Sequence, residues 1–245
     1  MVTFSSVLAH SVSVDPGRPL VTFYDDATGE RVELSATTYA NWVAKTASLL
    51  CEEHDLARGD RLRVDLPPHW LGAVVLGAAW TAGLVLTDAT DPADVDAVVC
   101  GPDGLARWSA LAADVPVLAC SLLPLGVRFA EPLPAHVHDV GVEVWGQPDA
   151  FTPVDPPQAE DPALELGGEV LTQAAVCAAA AAGALLGEGG RLLTDTDPST
   201  PPGSTAFGEA LARGGSVVLV TGAAATRLDA VADVERCTAR LVGGS

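Results

Sequence analysis

Short apolar runs alternate with helical stripes along this chain. Val21 to Asp25 (VTFYD) and Glu30 to Leu34 (ERVEL) flank Ala27-Thr28-Gly29, a pattern that predicts a β-hairpin with glycine supplying the turn. Ser35 then caps a predicted helix to about His54, where Tyr39, Trp42, Val43, Leu49 and Leu50 recur near helical spacing and form one apolar stripe. Gly59-Asp60 turns the chain into RLRVDL, in which Leu62, Val64 and Leu66 alternate with polar residues as in a strand, and Pro67-Pro68 ends it. A second helix, His69 to about Ala82, is apolar around most of its circumference, which predicts burial on more than one side. Gly83 stops it, and Leu84 to Thr87 reads as the next strand. Asp96 to Cys100 (strand), Gly101 to Gly104 (turn), Leu105 to Ala112 (short helix) and Val115 to Cys120 (strand) continue the series.

From Ser121 to Pro162 the texture changes, with eight prolines and one strand candidate at Val137 to Val144, so a β-rich or irregular excursion is expected there. The alternation then resumes. A strand is predicted at Ala163 to Leu166, a helix from Gln173 capped by Thr172, a strand at Arg191 to Thr194, a helix near Thr205 to Ala212 and a strand at Ser216 to Val220. Thr226 and Asp229 form a potential capping box for a last helix. This order predicts an α/β fold: a doubly wound, mostly parallel sheet with helices on both faces, the Pro-rich excursion of 121–162 at its edge, and a single domain over 1–245.

Composition narrows the function classes. At 245 residues and 49% hydrophobic content the chain can bury a substantial core, while a net charge of −19 repels nucleic-acid phosphates and anionic lipid head groups, so neither is an expected partner. The longest apolar stretch, Ala174 to Leu186, is shorter than the ~18 to 20 residues a membrane span needs. The first residues lack the basic start and long apolar core of a secretory signal, so the cytoplasm is the expected location. Of 13 basic residues only Lys45 is lysine, a skew expected from a high-GC bacterial genome. Cys51, Cys100, Cys120, Cys177 and Cys237 are far apart and mostly in apolar surroundings, which predicts reduced core residues.

Candidate chemistry is sparse, and no catalytic, cofactor-binding or metal-binding residue is assigned. His136 and His138 in HVHDVGVEVW would share one face of a strand, with no third metal ligand evident nearby. Gly101 to Gly104 (GPDG) lacks the lysine of a phosphate loop and reads as an ordinary turn. Asp88, Asp91, Asp94 and Asp96 do not match a calcium loop. Ser199 to Ser204 (STPPGS) reads as a loop with no helix start close behind it. Neither Ser-His-Asp nor Cys-His catalysis can be assembled from spacing.

Three stretches together carry a stronger signal. Residues 33–89, with Gly59-Asp60-Arg61, Pro67-Pro68 and Ala82-Gly83, resemble the N-terminal segment of the adenylate-forming superfamily, which includes acyl-CoA synthetases, peptide-synthetase adenylation domains and luciferases. Gly168 to Ala180 (GEVLTQAAVCAAA) is similar to the segment just after that family's phosphate loop, with Gln173 where a histidine is usual. Ala210 to Val220 (ALARGGSVVLV) is similar to the strand following the next crossover helix. The resemblance implies ATP-dependent adenylation, with a loop rich in Ser, Thr and Gly and closed by a lysine before the Gly-x-x-Leu-Thr helix entry.

In this chain ALEL passes straight into GGEVLT, so Gly167 and Gly168 stand where the loop is expected. A two-residue turn offers too few N–H donors to wrap a triphosphate. The chain also ends, at Ser245, before the magnesium-binding Thr-Glu pair, the ribose-binding aspartate and the C-terminal catalytic lysine that the resemblance implies. The expectation is therefore a truncated, catalytically incomplete relative without a cofactor, a binding or interaction protein that forms a homodimer. Two rival readings stand beside it: a ligase completed by a partner protein, and a module that binds an acyl or nucleotide ligand without turnover.

Overall fold

The computed structural model describes residues 2–243. The chain opens with a helix the sequence reading did not include, α1 (Phe4–Val14), whose buried Phe4, Leu8 and Ser11 lie on one face. The expected hairpin follows as β1 (Pro19–Asp25) and β2 (Glu30–Ser35), paired antiparallel, with Gly29 at φ 78° in the turn. Ser35 accepts a hydrogen bond from the Thr38 amide to start α2 (Ala36–Ser48), which runs through one π-turn, Leu49–Glu53, to His54. Then come β3 (Arg61–Asp65), α3 (Trp70–Ala82), β4 (Val85–Thr87), β5 (Ala97–Cys100), α4 (Leu105–Trp108) and β6 (Val117–Ala119).

The excursion contributes little regular structure. Of the strand expected over Val137 to Val144 only β7 (Val137–Asp139) forms, and the chain turns at once into the single-turn α5 (Val140–Glu143), with the Asp139 carboxylate accepting from the Gly141 amide. Beyond it lie β8 (Pro162–Leu166), β9 (Glu169–Thr172), α6 (Gln173–Ala182), β10 (Arg191–Thr194), α7 (Gly203–Ala212), β11 (Ser216–Thr221), α8 (Ala225–Val234) and β12 (Ala239–Leu241). Two boundaries differ from the expectation. α7 begins inside STPPGS, at Gly203, and α8 begins at Ala225 after Ala224, without the capping box that Thr226 and Asp229 suggested.

The α/β class and the mostly parallel pairing are as expected, and the strands sort into two sheets. One has the order β12-β10-β11-β1-β2 and the other β7-β6-β5-β3-β4-β8-β9, with antiparallel pairing confined to the edge hairpins β1/β2 and β8/β9. The buried helix α3 touches α2, β1 of the first sheet and β3 and β4 of the second, which accounts for a helix apolar on all sides. Its approach to α2 depends on Gly77: a Cβ there would lie 2.2 Å from the Tyr39 hydroxyl and 2.7 Å from Val43 Cγ2. Tyr39 itself is fully buried and donates to the Ala73 carbonyl at 2.8 Å.

The excursion is pinned along the end of α2. Lys45 donates to the Gln147 carbonyl and pairs with Asp149 at 3.2 Å, and Arg58 pairs with Asp155 at 3.1 Å and Asp161 at 3.2 Å. Cys100 and Cys120 are buried and free, with burial pushing the Cys100 thiol up to about 12. Cys51, Cys177 and Cys237 are free and only partly buried. Among the described residues no helix is long and apolar enough to cross a membrane.

Candidate functional site

The segment where a phosphate would be bound, if anywhere, is the junction of β8, Gly167-Gly168 and α6. β8 lies parallel to β4, with Leu86 opposite Leu164 and Thr87 opposite Glu165, and then pairs antiparallel with β9, with Leu166 opposite Glu169. Gly167 and Gly168 are thus the two central residues of a hairpin. Both have positive φ, 58° and 83°, as a two-residue hairpin turn of right-handed twist requires. Strand β9 is an element the sequence reading missed: Glu169 to Thr172 alternate too briefly to stand out beside the alanine-rich helix.

The polar surroundings of this turn suit a cation better than an anion. The Gly167 amide donates to the Asp88 carboxylate at 2.9 Å, and the Asp88 amide donates to the Glu165 carbonyl at 3.2 Å. Glu165 and Glu169 add two further acids on the adjoining strands. The start of α6 is equally occupied: the amide of Gln173 donates to the Asp161 carbonyl at 2.9 Å, that of Ala174 to the Ala159 carbonyl at 2.8 Å, and that of Ala175 to the Thr172 hydroxyl at 3.2 Å. Helix N-termini bind anions through free amides. These three are spent.

Gln173, which stands where the resembling family has a histidine, is fully buried and joins three helices. Its Oε1 accepts from the Phe4 amide at 3.2 Å and its Nε2 donates to the Trp80 carbonyl at 3.1 Å. Beside it, an apolar cavity of about 50 Å³ is lined by Phe4, Trp80, Leu164, Cys177 and Gly208, among others. That is well below the ~300 Å³ at which small-molecule sites begin.

The other sequence candidates resolve into local structure. In GPDG the Gly101 amide donates to the Asp65 carbonyl at 3.0 Å, and the Asp65 carboxylate takes the Trp108 indole at 2.6 Å and Arg107 at 3.3 Å, an acid where a phosphate would need donors. Asp91 accepts from the Ala93 amide, Asp94 and Asp96 both engage Arg61, and Asp88 accepts from the Gly167 amide, so each of the four aspartates already has a protein partner. Within STPPGS, Ser199 donates to the Asp197 carboxylate at 2.8 Å; burial raises the Asp197 pKa, while the hydrogen bonds from Ser199 oppose that shift. His136 sits at φ 64°, outside the strand, and does not share a face with His138. His138 instead meets His54 and Glu143.

No family model matches the chain. A Mycobacterium tuberculosis protein described as a TIGR03089 family protein is 37% identical over 203 residues, covering 80% of this chain and 79% of that one. The chain belongs to the TIGR03089 family. The fold of this TIGR03089 protein is that of adenylate-forming enzymes. The acyl-CoA synthetase of Brucella canis superposes with a TM-score of 0.81 at 15% identity, covering 98% of this chain and 47% of that one. The N-terminal domain of FACL13 from Mycobacterium tuberculosis gives 0.73 at 16% identity, covering 97% and 62%, and the acetoacetyl-CoA synthetase of Streptomyces lividans gives 0.73 at 17%, covering 89% and 38%. This chain therefore spans about half the length of the full synthetases it superposes on. The N-terminal resemblance carried by residues 33–89, 168–180 and 210–220 matches this fold.

Proposed function

We propose that this protein does not adenylate and works as a binding or interaction protein built on the adenylate-forming fold. One observation carries the reading: where the resemblance puts a phosphate loop there is a two-residue hairpin turn, with its Gly167 amide engaged by Asp88 and the first amides of α6 engaged by Asp161, Ala159 and Thr172. A triphosphate there would meet the carboxylate of Asp88 and displace bonds the fold already makes. Stabilising the charge that develops in phosphoryl chemistry takes preorganised donors or a metal clamp, and this turn supplies an acid instead.

The test is pyrophosphate release from ATP by the purified protein with a panel of fatty, aryl and amino acids. No release above a buffer blank is expected. Turnover that survives repurification and disappears on heating would overturn the reading.

The partner favoured is a second copy of this chain. β9 is the outer strand of its sheet, Val170 and Leu171 on it are exposed, and an edge strand can pair antiparallel with its own copy about a two-fold axis. Light scattering at about micromolar concentration is expected to give a dimer mass that Val170→Lys reduces to the monomer. A monomer mass that does not change at tenfold higher concentration would remove the dimer.

A further inference from the structure

His54, His138 and Glu143 are separated in sequence and meet in space. His54 closes the π-turn at the end of α2, His138 is the middle residue of β7, and Glu143 ends α5. His54 Nε2 lies 3.0 Å from Glu143 Oε2, and His138 Nδ1 lies 3.0 Å from Glu143 Oε1. The two imidazoles cross edge to face with centroids 4.3 Å apart, and one ligand atom from each of the three residues can be chosen so that all lie within 4.8 Å of one another. We propose that these three side chains form a divalent transition-metal site, with zinc as its natural occupant.

The donor set decides the metal. Two imidazole nitrogens and one carboxylate oxygen suit zinc or cobalt, whereas magnesium and calcium take oxygen ligands almost exclusively. Two ligands at about 2.1 Å from a tetrahedral zinc stand about 3.4 Å apart. The two 3.0 Å separations are to different oxygens of Glu143, so side-chain rotation must bring the three ligand atoms, already within 4.8 Å of one another, in to that spacing. On entry, the metal replaces the two hydrogen bonds to Glu143: His54 presents the Nε2 lone pair with its proton on Nδ1, and His138 presents the Nδ1 lone pair with its proton on the outer Nε2.

Burial is graded in a way that favours uptake. The His54 side chain is 6% exposed, while Glu143 and His138 are 31% and 39% exposed, so the inner ligand is fixed and the outer two can adjust. A surface opening is lined by Glu53, Glu143, Gly146 and Gln147, so Glu143 borders solvent. Glu53, which accepts from the Gln147 side chain at 3.3 Å, adds a second carboxylate at that mouth. The net charge of −19 raises the local concentration of cations around the whole molecule. The nearest cysteine in sequence, Cys51, is not part of this cluster, and burial holds its thiol up at about 11. The site would clamp the excursion to the end of α2, in line with the contacts of Lys45 and Arg58 further along the same segment.

The experiment uses untagged full-length protein stripped with chelator and titrated with zinc chloride by calorimetry, with cobalt chloride as a spectroscopic probe. One equivalent of zinc is expected to bind with a Kd of about 10 µM or tighter, and a hundredfold excess over Kd should raise the Tm by about 5 to 10 °C. Glu143→Gln and His138→Asn should each weaken binding at least tenfold. His138 lies on the exposed rim, so its variant is expected to keep the metal-free Tm and serves even where a change at His54 impairs folding. Absence of saturable one-to-one uptake, or uptake unchanged in both variants, would overturn the site.

Discussion

Replacing Gln173 by leucine is the sharpest probe of how this fold is held together. The side chain serves two backbone groups that helices cannot satisfy themselves. Phe4 is the first residue of α1, so its amide has no intrahelical acceptor, and Trp80 is near the end of α3, where the Leu84 amide that would reach its carbonyl bends to Ala79 instead, at 2.8 Å. Gln173 accepts from one and donates to the other, fully buried. Leucine keeps most of the bulk, so the cavity contribution is small, and both backbone groups are left buried without partners. Each such orphan costs about 1 to 3 kcal/mol, offset in part by about 1 kcal/mol of added apolar burial. The net expectation is a loss of about 1 to 5 kcal/mol, which for a chain of this size lowers the Tm by about 2 to 20 °C. Urea unfolding followed by circular dichroism gives the free energy, and hydrogen exchange at the Phe4 amide reports whether the start of α1 is released. A Gln173→Leu protein within about 0.5 kcal/mol of wild type would refute the account. So would full destabilisation with the Phe4 amide as protected as before.

Two further predictions concern the buried helix α3 and its cap. Gly77→Ala forces a methyl group against Tyr39 and Val43, where the nearest approach would be 2.2 Å, and should cost at least about 1 to 3 kcal/mol, measured by chemical denaturation; Tyr39→Phe in the same chain should relieve part of that cost by removing the clashing hydroxyl. Burial pulls the His69 pKa down from 6.5 to about 4, and its Nδ1 accepts from the Leu71 amide at the start of α3 at 3.2 Å, so the native state holds this imidazole neutral. Between those values the unfolded chain binds more protons than the native one. The stability contribution is therefore complete above about pH 6.5 and is lost as the pH falls through about 4, by up to about 3 kcal/mol. His69→Asn should retain a cap and unfold with a flatter dependence on pH across this window; an unchanged slope would contradict the assignment.

What the sequence determined by itself was local. The glycine turn of the first hairpin, the Ser35 and Thr172 caps and the left-handed stop at Gly83 follow from residues within a few positions of one another. The all-round hydrophobicity of His69 to Ala82 already required a helix covered on several sides. The stripe of α1 was present as Phe4, Leu8 and Ser11, but a serine at the third position weakened its apolar signature. The hairpin turn at Gly167-Gly168 was legible as a segment too short to wrap a triphosphate, whereas the hydrogen bond from its amide to Asp88 came from a loop 79 positions away.

Tertiary structure decided which strands are neighbours and which polar groups meet. Alternation marks a strand but not its partner: Val21 pairs with Val217, and nothing in either segment distinguishes that choice from pairing with β3, so one sheet and two sheets read alike in the sequence. The placement of His138 followed the same logic. Period-2 spacing put it with His136, but a left-handed residue at His136 and a helix start at Val140 broke the strand to three residues, and long-range packing of the excursion against α2 brought His138 to His54. Gln173 looked like a replaced site residue. Only the convergence of α6 with the start of α1 and the end of α3, two termini each needing a hydrogen bond, shows why an amide, able to donate and accept at once, occupies that position.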